Sequence, residues 1–124
     1  MKSQKSTLIF VYNADGDLFS SLTDAIHKII SPETYSCNLC AITYGPMSMK
    51  KEWKTFIKNF PLSVKFLHRD EFRKKYPKNK EAFPSVFIKK DEQPELLISS
   101  TEIDKCKSLK DLKSLINQKT KEFI

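Results

Sequence analysis

The sequence predicts one α/β domain over residues 1–124, with a central mixed sheet of about five strands and helices on both faces. Short apolar runs rich in β-formers alternate with stretches whose apolar residues recur at helical spacing, as in parallel strands joined by covering helices. The last two apolar runs flank a single polar turn, the pattern of an antiparallel hairpin. The chain has 124 residues, 40% hydrophobic, with nine Phe and only two Gly. It is long enough to bury its own core and contains no linker, repeat or low-complexity tract.

The elements follow in order. "TLIFVYNA" is an apolar run closed by the turn-forming "NADGD", a buried strand. Asp17 caps a helix carrying Leu18, Leu22, Ala25, Ile26 and Ile29, which stops at Ser31-Pro32. "CAITYG" reads as a second strand, broken at Gly45-Pro46. Ser48 then caps a helix with Met49, Trp53, Phe56, Ile57 and Phe60 on one stripe, ended by Pro61. "LSVKFLH" alternates as a third strand, and "RDEFRKKY" is a short helix with Asp70 as its cap. "FPSVFIKKDEQPELLIS" supplies the hairpin, turning at Asp91 to Pro94. Ser108 and Asp111 begin a last helix along Leu109, Leu112, Leu115 and Ile116 to near Lys119. The expected order is β-α-β-α-β-α-β-β-α.

Charge and composition narrow the function classes. The net charge is +7, from 22 Lys and Arg against 15 Asp and Glu, which favours polyanions in a general way. Only Arg69 and Arg73 are arginines, the side chain suited to bidentate phosphate and base contacts. Apart from a denser stretch at Arg73 to Lys80, the lysines are spread along the chain. That spread is the signature of a solvated surface and disfavours nucleic acid as a partner. The N-terminal apolar run stops at Asn13, short of the roughly 7 to 15 residues of a signal-peptide core. No stretch approaches the about 20 apolar residues of a membrane span. Three cysteines do not make a disulfide framework. The expectation is a cytoplasmic protein off the membrane, monomeric or weakly dimeric, with an unidentified protein partner as the open alternative. There is no Gly-rich phosphate loop, Gly-x-Ser-x-Gly or His-Glu-x-x-His, so phosphoryl transfer and serine hydrolysis have no support.

From "VKFLHRDEF" through "FPSVFI" to the terminal helix, the chain resembles the thioredoxin-like superfamily. "FPSVFI" is similar to that family's strand opening on a cis-proline, which the resemblance places at Pro84. It is also similar to small uncharacterised bacterial proteins of that fold, a likeness that implies no activity. In thioredoxins the reactive Cys-x-x-Cys opens the helix after the second strand; here "YGPMSMKKEW" stands there without cysteine. A shorter, glutaredoxin-like register puts the active turn after the first strand, at "NADGDLFSS", again without cysteine.

The cysteines that are present, Cys37 and Cys40 in "CNLC", precede the expected second strand. The topology would then set them at the sheet end remote from Pro84, away from any helix N-terminus. No Lys or Arg lies within five residues of the pair. On a regular strand, residues three apart face opposite ways, so the sulfurs meet only if "CNLC" turns. Three readings stay open: buried structural thiols, a redox pair, or a metal site. For a metal, His27 at the end of the first helix and Asp24 one turn earlier would join Cys37 and Cys40 around zinc. Cys106, ahead of the last helix, is expected near the Pro84 edge as a packing residue. His68, at the end of the third strand, is a candidate general base at that edge or simply a polar terminus. Asn13, Asp15 and Asp17 either cap the first helix or bind a cation. Trp53 is read as core.

Overall fold

The computed structural model describes residues 3–13, 38–43 and 50–123. Strand β1 (Ser3–Tyr12) occupies the middle of a mixed sheet with β2 (Leu62–His68), β3 (Ser85–Lys89) and β4 (Pro94–Ile98), in the order β2-β1-β3-β4. β1 and β2 are parallel, while β1–β3 and β3–β4 are antiparallel. The helices are α1 (Asn38–Thr43), α2 (Lys51–Lys58), α3 (Arg69–Lys75), α4 (Ser100–Asp104) and α5 (Leu109–Thr120), followed by a 3-10 turn at Lys121–Phe123.

The uninterrupted apolar run of β1 follows from this central place. Leu8, Phe10 and Tyr12 face one layer, while Ile9 and Val11 face the other, and all five are buried. The larger core gathers Leu39 and Ile42 of α1, Trp53 of α2, Ile103 of α4, and Leu109, Leu112 and Ile116 of α5. The smaller one gathers Phe72 of α3 with Tyr76, Phe83 and Phe87. Helices therefore cover both faces. Each fully buried large side chain contributes on the order of 1.5–3 kcal/mol of transfer free energy, so both faces of β1 hold the domain together.

The α/β architecture, the hairpin and the last helix take their expected places, but the five-strand order does not hold. "CAITYG" is not a strand, since Asn38–Thr43 is helical. Leu39, Ile42 and Thr43 are buried together at positions i, i+3 and i+4, a helical face that alternation would have split. The Thr43 hydroxyl donates to the Leu39 carbonyl at 2.7 Å, one turn back. β1 already has β2 on one side and β3 on the other, so no place beside it is open. Among the described residues the sheet has four strands, and the observed order is β-α-α-β-α-β-β-α-α.

Three helix starts also differ. α3 begins two residues earlier than a cap at Asp70 requires: His68 is its N-cap, and the Glu71 carboxylate accepts the His68 backbone N–H at 2.7 Å. α4 was not expected at all. Its N-cap Ser99 accepts the Glu102 backbone N–H at 3.2 Å, and Glu102 Oε1 accepts the Ser99 N–H at 2.9 Å. α2 starts at Lys51 with Lys50, not Ser48, as its N-cap and without a side-chain cap bond, and the expected helix over 18–29 lies outside the described residues.

Candidate functional site

Two places carry chemistry: the sheet end where β1 and β2 finish and β3 begins, and the helix that holds Cys40. Opposite directions of β1 and β3 bring Val11 level with Ser85, while parallel pairing brings Tyr12 level with His68. The end of β1, the end of β2 and the Pro84 segment thus meet at one edge. The Phe83–Pro84 peptide bond is cis.

At this edge the Arg69 guanidinium donates to Asn13 Oδ1 at 3.1 Å, tying the turn after β1 to the start of α3. His68 Nδ1 lies 2.8 Å from Glu71 Oε1, with the His68 side chain about one quarter exposed (26%). The His68 backbone N–H, and then the imidazole, hold the Glu71 carboxyl below its ordinary range, against partial burial and the neighbouring Asp70. Tyr12 and His68 are ring neighbours at 6.0 Å, on the face that also holds Phe66. On the other face the Arg73 guanidinium sits 4.9 Å from the centroid of Phe83, the residue before Pro84. Arg73, Lys74, Lys75, Lys78 and Lys80 are exposed, which leaves the basic stretch in solvent beside this edge.

Ser85, directly after Pro84, is fully buried, and its hydroxyl has no hydrogen-bond partner among the described residues. Sequence reasoning passed over it. The available signal was position: a serine between an X-Pro bond and a run of buried β-formers cannot reach solvent. His68 does stand at the Pro84 edge, but its Nδ1 is engaged by Glu71, so its role there includes holding the start of α3.

Cys40 lies in α1, which begins one residue after Cys37. α1 packs on α4, and α4 follows the end of β4, where Ile98 is level with Val86, two residues beyond Pro84. Leu39 and Ile42 share a core with Val86 and Ile98. The placement of the pair at the far end of the sheet rested on a second strand at 40–45, and residues 40–43 are helical instead. Cys37, His27, Asp24, Asp15 and Asp17 lie outside the described residues. Among the described residues, no group of three or more His, Cys, Asp or Glu is placed to share a metal ion.

Cys106 differs in kind. It is buried in the larger core, with Sγ 3.8 Å from the Glu102 carbonyl oxygen. Burial pushes its thiol pKa up, and the nearby Asp111 and Glu102 carboxylates add to that. A thiol held in its protonated form is a packing group.

No helix among the described residues is long and apolar enough to cross a membrane. No protein-family model, curated protein or solved structure matches the chain.

Proposed function

We propose that this chain is a thioredoxin-like domain in which Cys37 and Cys40 form a thiol pair that exchanges with the disulfide of a protein partner. The observation that carries the reading is the helix Asn38–Thr43, which holds Cys40 where a strand was expected. Positions three apart on a helix are neighbours, with Cβ atoms about 5–6 Å apart, whereas on a strand they point to opposite faces. Further support comes from Pro84 ahead of β3, from the β3–β4 hairpin leading to a terminal helix, and from helices on both faces of the sheet.

The exchange balances without a cofactor. One thiolate attacks a sulfur of the partner disulfide and releases one partner thiolate. The second cysteine then attacks the mixed disulfide, releases the other, and leaves Cys37–Cys40 oxidised. Two electrons and two protons pass to the partner. Oxidation with glutathione disulfide tests this directly. Intact-protein mass should fall by two hydrogens, peptide mapping should join Cys37 to Cys40, and dithiothreitol should reverse it. Two free thiols after oxidation, or a bond to Cys106, would refute the pair.

One observation favours a second reading, a non-enzymatic interaction module. The Pro84 edge presents Asn13, His68 and Arg69, and residues 11–20 contain no cysteine. A partner bound at that edge should be held equally well after all three cysteines are replaced by serine. A thiol-exchange partner would be lost.

A further inference from the structure

Between α2 and α5, at the end of the sheet where β2 begins, lies an open groove with a volume of about 730 Å³. This is within the roughly 300–1,000 Å³ range of small-molecule sites. Its floor is aromatic: Phe56 and Phe60 have ring centroids 5.5 Å apart, with Pro61 beside them. Its rim holds two cations, Lys51 and Lys113, and one carboxylate, Glu52. The Lys113 ammonium is 5.7 Å from the Phe56 centroid and 3.5 Å from Glu52 Oε2. That ion pair is long, and its glutamate side is 71% exposed, so the pairing is weak and exchangeable.

We infer that this groove binds a small planar aromatic anion, a ring carboxylate or sulfonate, independently of the cysteine chemistry. The apolar body stacks on Phe56 with its edge toward Phe60, whose ring is inclined at 48° to that of Phe56, and the anion takes Lys113 from Glu52, with Lys51 as the second cation. Charge complementarity selects the anion, since the rim carries one uncompensated positive charge on a chain of net +7. The aromatic floor, two rings inclined at 48° to each other, favours an aromatic ring over a flexible aliphatic chain. Two side-chain amides, Asn59 and Asn117, line the same groove and report on occupancy.

The probe is 1-naphthoate, titrated into the full chain and followed by amide and side-chain NMR shifts, with neutral 1-naphthylmethanol as the matched control. Saturable shifts centred on Asn59 and Asn117 are expected, and the alcohol should bind about three- to fivefold more weakly. Lys113→Gln should remove most of the anion's advantage and leave the alcohol unchanged. Glu52→Gln should strengthen the anion by freeing Lys113. Both positions are on the surface, so neither change threatens folding. Equal binding of anion and alcohol, unsaturable shifts, or shifts away from the groove would overturn the proposal. So would concentration-dependent shifts at these residues without probe, because a second copy of the chain would then be the occupant.

Discussion

Glu102 offers the sharpest test of how the short helix α4 is held. A five-residue helix is far below the length that stands alone, so α4 exists through its cap and through Ile103, which is fully buried in the larger core. Glu102 serves it twice. Oε1 accepts the Ser99 N–H, and Oε2 lies 2.8 Å from the Lys119 ammonium of α5. The ion pair is about one-third exposed on each side, which places it near 0.5 kcal/mol. The cap is a charge-assisted bond to an otherwise orphaned backbone donor, about 1 kcal/mol. Glu102→Gln keeps the acceptor and loses the charge, so it should cost about 0.5 kcal/mol. Glu102→Ala loses both and should cost about 1.5 kcal/mol, or roughly 6 °C in Tm for a domain of this size. Urea unfolding followed by the fluorescence of Trp53, the single tryptophan, reads both.

Acid adds a second arm. Lys119 first, and then the Ser99 N–H, lower the folded-state pKa of Glu102 below its ordinary 4.5. The charge contribution is therefore complete above that ordinary value and is lost as pH falls through the lower, folded value. The gap between wild type and Glu102→Gln should close in acid. An alanine variant no less stable than the glutamine variant at pH 7 would refute the cap. A gap that persists in strong acid would refute the ion pair.

Two more outcomes follow from the packing. Phe72 is fully buried, with Phe87 at 4.6 Å, Tyr76 at 5.0 Å and Phe83 at 5.5 Å between ring centroids, so Phe72→Ala should cost about 3–5 kcal/mol in urea titration. A loss under about 1 kcal/mol would mean that the smaller core does not stabilise the fold. Cys106 is only 7% exposed and its thiol is held protonated, so a thiol reagent at pH 7.5 should label it at least about tenfold more slowly in the folded chain than in urea. Equal rates would show that burial does not protect it.

Where one physical signal dominated, the sequence was readable. The β1 run, the Trp53 stripe, the alternation of β2, the β3–β4 hairpin and the Ser108 cap each follow from periodicity or turn chemistry, and each element is present. The Ser99-Ser-Thr-Glu102 box carried as clear a signal for α4, but the helix it starts spans too few residues to show a periodic stripe. His68 replaces Asp70 as the start of α3 because the Glu71 carboxylate reaches back to the His68 N–H, a bond that residue type alone does not announce.

The candidate site turned on one ambiguous segment. Cys, Ile, Thr and Tyr all suit a strand, and six residues are too few for composition to separate the two structures. Burial decides between them: Leu39, Ile42 and Thr43 need one continuous apolar partner, and α4 together with the face of the sheet that holds Leu8 and Phe10 supplies it. A strand at 40–45 would instead need a neighbour to receive its backbone hydrogen bonds, and β1 has none to offer, being paired on both sides. The choice of helix at Asn38–Thr43 thus follows from burial of Leu39, Ile42 and Thr43 on one helical face. It places Cys40 on a helix instead of a strand.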